Sequence, residues 1–266
     1  MICVVGGTGR LGLALVPLLS AAGVPVRVVS RHGVRPAGLD GQVADVVRAD
    51  VREPSTLAAA VAGADVVVSA VHGLGNPERG VSPEAIDHRG NVALIDAAAV
   101  AGAGVVLVSV RAASSSGTEL QRAKWRAEEH LRASGIPWAV VRAPAYLELW
   151  QDMLRQTARR DGRPVVLGRG RNPIAMVGVD AVARVVADVC LESPLRGGVI
   201  EVPAAGDFTF DEVAAGVSAP GVRSRHVPRS VLRVVGQVAR PVNPGGARLA
   251  RMAVWLDTAE LGEAVG

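Results

Sequence analysis

The stretch Ile2-Cys3-Val4-Val5-Gly6-Gly7-Thr8-Gly9-Arg10-Leu11-Gly12-Leu13-Ala14-Leu15-Val16 decides the fold. Four consecutive apolar residues, Ile2 to Val5, read as a short buried strand, and the apolar run through Leu19 reads as a helix. Between them Gly6-Gly7-Thr8-Gly9-Arg10-Leu11-Gly12 satisfies Gly-x-x-Gly-x-x-Gly and, counted from Gly7, Gly-x-Gly-x-x-Gly. Glycines there let a pyrophosphate approach the backbone and rest on the helix amino terminus, where N–H groups and the macrodipole favour an anion. A glycine pattern alone is weak, and a tight structural turn is the plain alternative. Its setting between a buried strand and an apolar helix, opening a βαβ unit, points to dinucleotide binding.

Outward from that turn, strands and helices alternate. Strands are expected at 24–30, 43–49, 65–71, 105–109 and 138–142, and helices near 55–62, 83–101 and 118–133. Each strand is rich in Val and Ala, the composition of a parallel sheet covered on both faces. The fold class is therefore α/β, doubly wound. After Pro144 the rhythm loosens. A helix near 148–159, a Gly- and Arg-rich loop over 161–173, a strand and helix over 174–191 and a strand at 198–202 follow, then short helices over 204–266. The expected organisation is a dinucleotide-binding domain over 1–144, completed by about 174–203. Residues 145–173 and 204–266 are expected to form a small cap over the carboxyl edge of the sheet.

Composition supports this reading. The chain has 266 residues, 49% of them hydrophobic but only 3% aromatic, so the core must be Val, Ala and Leu. Cys3 and Cys190 lie in apolar runs and make no disulfide framework, and five scattered histidines show no zinc-ligand spacing. Met1 leads straight into the first strand without a basic leader, and the longest apolar stretch, 91–110, is broken by Asp96 and by Gly102 and Gly104. A cytoplasmic protein without a transmembrane segment is the expectation. Lys124 is the single lysine among 29 basic residues. Arginine enrichment of this kind is commonly compositional drift, yet it marks Lys124 for a role a guanidinium cannot fill.

The second strand discriminates between cofactors. An NAD site wants an acid about 20 residues beyond the glycines, to bind ribose hydroxyls. Here the strand ends Val28-Val29-Ser30-Arg31-His32, with Arg35 nearby and no acid. An arginine there can fork onto a 2′-phosphate, so NADP(H) is favoured over NAD(H). Asp50-Val51, after the third strand, is placed either to approach the adenine or to cap its own loop. Ser69, Ala70 and Val71 end the fourth strand, where backbone must run close to a bound dinucleotide.

At this point the chain resembles the NmrA-like group of atypical short-chain dehydrogenases/reductases. The resemblance rests on Val4 to Gly12, the basic end of strand two, Ala49-Asp50-Val51, and Asn91 with Ile95-Asp96-Ala97-Ala98. Lys124, Glu128, Leu131, Ser134-Gly135-Ile136-Pro137-Trp138 and Val141-Arg142-Ala143-Pro144 extend it. It covers residues 1 to about 145 well and 179–183 tolerably, and is weak beyond 204. It implies a Rossmann-type fold binding NADP(H), in a group that mixes reductases with proteins that only sense the cofactor.

One departure from the pattern matters more than the match. The group's ordinary relatives use Tyr-x-x-x-Lys, the tyrosine as proton donor and the lysine lowering its pKa and holding the nicotinamide ribose. Lys124 aligns with that lysine, but Leu120 stands where the tyrosine belongs. Ser109, at the end of strand five, aligns with the supporting serine: it either contacts substrate or nicotinamide, or caps the strand. Without the tyrosine, reduction of a ketone or aldehyde lacks its proton donor. Quinones, flavins, dyes and activated alkenes need mainly orientation over the nicotinamide. Tyr146, the only tyrosine, could replace the donor from another direction or line a wall with Trp150. His72 could face the site or be a loop residue. His88, His130 and His226 show no partners in sequence, and Glu128 and Glu129 are expected to be solvated or to pair with Arg126 or Arg132.

Between Val213 and Leu256 lie Arg223, Arg225, Arg229, Arg233, Arg240, Arg248 and Arg251, and no acid. Val231, Leu232, Val234, Val235 and Val238 form an apolar stripe on this segment. A cap helix burying that stripe is the plainer reading, and contact with an anionic membrane surface the other. Nucleic acid is not expected, because no recognition motif accompanies the arginines. Two functions remain: an NADPH-dependent reductase of a small-molecule acceptor, and a non-catalytic NADP(H) sensor acting on a protein partner. A sugar-nucleotide epimerase is third, since it would need the missing tyrosine.

Overall fold

The computed structural model describes residues 1–74, 78, 80–159, 161–192, 195, 197–239 and 242–258. The chain divides into two compact units, one of Met1–Gly73, Ser82–Ala143 and Val179–Val202, the other of Leu74–Val81, Pro144–Gly178 and Pro203–Gly266.

In chain order the first unit contains β1 (Ile2–Val5), α1 (Arg10–Ala21), β2 (Val26–Ser30), β3 (Asp45–Arg48), α2 (Leu57–Val61) and β4 (Val66–Ser69). It continues with α3 (Asn91–Ala101), β5 (Gly104–Val110), α4 (Glu119–Ala133) and β6 (Trp138–Ala143). The chain then passes through β7 (Ala145–Tyr146), α5 (Leu147–Thr157), β8 (Val165–Leu167) and β9 (Ile174–Val177) of the second unit. It returns to the first with α6 (Val179–Leu191) and β10 (Val199–Glu201), and ends in the second with β11 (Gly206–Phe208), α7 (Phe210–Val217), β12 (Arg225–Val227), α8 (Arg229–Val238) and α9 (Pro244–Leu256).

The large sheet is parallel throughout, in the order β10-β6-β5-β4-β1-β2-β3. This is a Rossmann-type doubly wound sheet whose strand order reverses between β1 and β4, the switch point at which such sheets open a ligand crevice. Its core is aliphatic: Val4, Leu15, Val28, Val67, Val105, Leu107 and Val140 are all completely buried. Register sets the edge of the crevice. Val5 pairs with Val29 on one side and Ser69 on the other, so Gly6, Ser30 and Ala70 emerge side by side.

Three local expectations change. The helix foreseen over 83–101 begins as a wider π-helical turn, Pro83–Gly90, capped by the Ser82 hydroxyl accepting from Ala85 N–H at 3.1 Å. The buried Asn91 amide donates to the carbonyls of Ile86 and Asp87, at 3.3 and 2.9 Å, satisfying groups the wide turn displaces from α-helical pairing. The strand at 174–177 does not complete the large sheet. Its two edges are taken by β11 and β7, so it centres a small three-stranded sheet and the return to the large one starts at Val179. Finally, the segment beyond 204 is not helices alone, because β11 and β12 pair with β9 and β8.

The second unit has its own core, built on Trp150, Leu154, Ile174, Met176, Phe210 and Val213. Trp150 packs edge-on to Phe210 with ring centroids 4.8 Å apart. On α8 only Leu232 and Gly236 are buried; Leu232 packs with Ala250 and Ala253 of α9. Val231, Val234, Val235 and Val238 stay exposed, so the stripe is not buried as a cap helix would bury it. The contact face is offset from the stripe, because small residues, Gly236 and the alanines, let the two helices approach there. Arg240 lies outside the described residues.

Candidate functional site

The glycine turn is shaped by contacts that admit no side chain. Gly6 has φ +85°, and a Cβ on it would stand 2.8 Å from the Ala70 carbonyl oxygen. A Cβ on Gly12 would lie 2.4 Å from Gly7 Cα, so α1 can start this close to the strand only with glycine. The turn is braced by Gly9 N–H donating to Gly6 O at 2.9 Å and Gly6 N–H to Val29 O at 3.0 Å. Gly9 supplies no side-chain cap and the first turn of α1 carries no acid, which leaves that helix end positive. Thr8, Gly9 and Arg10 are exposed there; Leu11 is a core side chain, so only its backbone is available.

At the β2 end, Ser30 is buried and its hydroxyl accepts from Gly33 N–H at 3.2 Å. Arg31 is exposed beside it, and Arg48, paired across from Ser30 on β3, donates from Nε to the Arg31 carbonyl at 3.2 Å. Arg35 does not point to this end, for its guanidinium holds the Val43 carbonyl at 2.7 Å and closes its own loop. Asp50 is a loop clasp. Arg52 grips its carboxylate through Nη2 at 2.6 Å and Nε at 3.0 Å, and the Arg52 N–H adds a bond at 2.9 Å. Partial burial works to raise the Asp50 pKa, but the Arg52 hydrogen bonds and charge, with help from Arg31, hold it below the ordinary value. Val51 is buried, and a Cβ on Gly90 would stand 2.7 Å from its Cγ2, so glycine is what lets the π-helical turn pack on it. The Asp50 side chain thus closes its own loop, the second of the two roles read for it.

Beyond β4 the structure brings together residues that sequence reasoning took singly. Ser69 donates its proton to the Asn91 amide oxygen at 2.5 Å, both fully buried. Ala70 and Val71 present backbone. Lys124 is 3% exposed, and its ammonium meets the Val71 carbonyl at 3.0 Å, the Val108 carbonyl at 2.9 Å and Asp87 Oδ1 at 3.2 Å. Two backbone carbonyls and the Asp87 carboxylate thus surround the Lys124 ammonium. Asp87, completely buried in the π-helical turn, was missed; its other oxygen accepts from Gly73 N–H at 2.8 Å. The available signal was an acid four residues before Asn91, on the face that also carries Ile86 and Leu94. His72 stands between these anchors, exposed and following β4. Desolvation holds its imidazole below the ordinary pKa of 6.5; Asp87 opposes that shift and Lys124 adds to it.

Ser109 is likewise turned inward. Its hydroxyl donates to Glu128 Oε1 at 2.5 Å, tying β5 to α4. Glu128 is fully buried rather than solvated, and is held by Arg142 at 2.7 and 3.1 Å and by Arg132 at 2.9 Å. Arg126 pairs with Glu84 instead. The histidines without evident partners have them: His88 meets Glu84 at 3.0 Å, His130 Asp96 at 2.7 Å and His226 Asp211 at 3.2 Å. Tyr146 belongs to the second unit, half-buried at the start of α5; burial first, then Glu148, raises its phenol pKa. Trp150 is a core residue there, not a wall.

Comparison with known proteins follows the same lines. The family model described as NAD(P)H-binding matches residues 6–193. A curated relative, an NAD(P)H azoreductase of Xenophilus azovorans, is 30% identical over 193 residues, which are 69% of this chain and 64% of that protein. The chain thus spans just under two thirds of that relative's length. Among solved structures, a nucleoside-diphosphate-sugar epimerase of Staphylococcus aureus superposes with a TM-score of 0.75 at 20% identity, covering 96% of this chain and 89% of the other. The triphenylmethane reductase of Citrobacter sp., complexed with NADP(H), gives 0.73 at 20% identity over 100% and 91%. An NADPH-dependent quinone oxidoreductase of Escherichia coli gives 0.70 at 22% identity over 97% and 89%. At these identities the structural likeness speaks for the fold.

Proposed function

The chain belongs to the NAD(P)H-binding family, as its resemblance to the NmrA-like group leads one to expect, and from that premise we propose that it is an NADPH-dependent reductase of soft acceptors. The acceptor class is quinones, flavins, dyes and activated alkenes, and the working place is the cytoplasm. No helix among the described residues is long and apolar enough to cross a membrane.

The observation that carries the reading is the glycine turn opening onto an uncapped, acid-free helix terminus at the switch point of the sheet. Those residues fit a pyrophosphate: the Thr8, Arg10 and Leu11 backbone offers N–H donors, and Gly6, Gly9 and Gly12 keep the approach clear. Arg31, exposed at the β2 end, offers a guanidinium that can fork onto a 2′-phosphate, which supports NADPH over NADH. Ala70 and Val71 supply the backbone wall after β4. When bound, the reduced nicotinamide supplies hydride. The protein's own part is to orient the acceptor against it and keep that contact dry. Leu120 at the tyrosine position, with Ser109 and Lys124 both turned inward, leaves no hydroxyl acid among the residues aligned with the group's catalytic set. That favours acceptors whose reduced forms water can protonate. The azo compounds, triphenylmethane dyes and quinones in the names of similar proteins fall in that class.

The inward Lys124 and Ser109 also favour a second reading, an NADP(H) sensor that regulates a protein partner. One assay separates the two: loss of nicotinamide absorbance with purified protein, NADPH and a panel of quinones, flavins, azo dyes and enones. Acceptor-dependent turnover is the expected result. Saturable NADPH binding without turnover on any acceptor would overturn the reductase and support the sensor.

A further inference from the structure

His72 is bracketed by a buried ion pair. On one side the carbonyl of Val71 accepts from Lys124 Nζ at 3.0 Å; on the other the N–H of Gly73 donates to Asp87 Oδ2 at 2.8 Å. Lys124 and Asp87 are themselves in contact at 3.2 Å, with side chains 4% and 0% exposed. Two flanking peptide groups are thus fixed from α4 and from the π-helical turn, while His72 between them keeps exposed surface as a residue. Gly73 reinforces the clamp, since a Cβ there would lie 2.4 Å from the Ser82 carbonyl oxygen.

Burying a lysine and an aspartate costs several kcal/mol each in desolvation before their attraction is counted. A loop that needed only to turn would not require it. Asp87 Oδ1, moreover, takes no well-directed hydrogen bond, so the pair is not arranged for stability alone. The clamped loop leaves β4 at the switch point, next to the glycine turn, where Gly6 closes on Ala70. Arg31 lies on the other side of that turn, at the β2 end, which leaves the β4 side for the nicotinamide and acceptor.

We infer that His72 binds the acceptor, donating a hydrogen bond from its neutral imidazole to the acceptor's oxygen or nitrogen, and that Lys124 and Asp87 are positioning residues for it. The inference rests on the reductase reading. In the step, the acceptor takes hydride from the reduced nicotinamide and its remaining proton from water, so His72 keeps its own proton throughout. The groups that charge its surroundings are Asp87 from the π-helical turn and Lys124 from α4.

The test compares wild type, His72→Ala and His72→Gln, with naphthoquinone as the probe. His72→Ala is expected to lower kcat/KM about a hundredfold, as removal of one aimed donor does, while the NADPH dissociation constant stays unchanged. His72→Gln, which keeps an N–H donor, is expected to recover most of that loss. A readout free of turnover accompanies these: naphthoquinone added to the protein–NADP⁺ complex should move the His72 ring resonances, and Asp87→Asn should lower the His72 pKa further. Unchanged kcat/KM in His72→Ala, or an unmoved His72 ring, would overturn the inference and leave the reductase standing. No turnover by wild type on any acceptor would overturn both.

Discussion

Lys124 and Glu128 stand one helical turn apart on α4, both bury a charge, and their surroundings differ in kind. Around Glu128 everything is closed: Ser109, Arg142 and Arg132 donate to its two oxygens. Around Lys124 the partners are two strand-end carbonyls and an aspartate with one oxygen lacking a hydrogen bond, and the next residue after Val71 is an exposed histidine. A fully satisfied buried network joins α4 to β5 and β6 and is scaffold. A buried pair that holds backbone beside an exposed titratable group is the frame of a site.

The contrast predicts a graded set of outcomes. Glu128→Ala would leave Ser109 buried without its acceptor, reduce half-buried Arg142 to its Glu201 contact and open a cavity behind α4, which together cost about 3–5 kcal/mol. Thermal denaturation should show it as a fall of roughly 6–20 °C, taking about 2–4 °C per kcal/mol for a chain of this size class. Gly6→Ala sharpens the site side. The methyl would sit at φ +85° and 2.8 Å from Ala70 O, a strain of about 1–3 kcal/mol, and fluorescence titration should show lost NADPH affinity with the fold retained. Arg31→Ala should weaken NADPH about tenfold, the 1.4 kcal/mol expected of one charge-assisted bond, and leave NADH unchanged.

The smallest effect is on pH. The His72 pKa is lowered from 6.5 in the folded protein. The unfolded chain therefore binds more protons between the two values, so stability rises with pH through that window and is lost below it. Imidazole NMR should show His72 titrating below 6.5, and denaturation midpoints should fall slightly as pH drops through the same range. A His72 that titrates above it would break the comparison.

The first unit was legible because its signals are local. Val-rich runs of four to seven residues and glycines at fixed spacing need no partner to be read. What escaped was pairing at long range. Nothing near Lys124 in sequence announces Asp87, and nothing near Ser109 announces that Glu128 lies behind it. An alignment with a catalytic pattern fixes the position of a side chain along the helix, not the direction in which buried acceptors draw it. In the second unit the strands are two to four residues long, too short for a period-two signal, so 204–266 read as helices only. The α8 stripe shows a further limit: amphipathy announces an apolar face, but burial depends on neighbours, and here only Leu232 and Gly236 found them.

Helix α4 holds scaffold at Glu128 and a cofactor-side frame at Lys124. Backbone amide NMR during an NADPH titration addresses this most directly. The amides of Gly6 to Leu11, Arg31 and Ala70 to Gly73 should shift saturably while those of Ser109, Glu128 and Arg142 hold still. Shifts centred on Ser109 and Glu128, with the glycine turn and the β4 end unmoved, would contradict it.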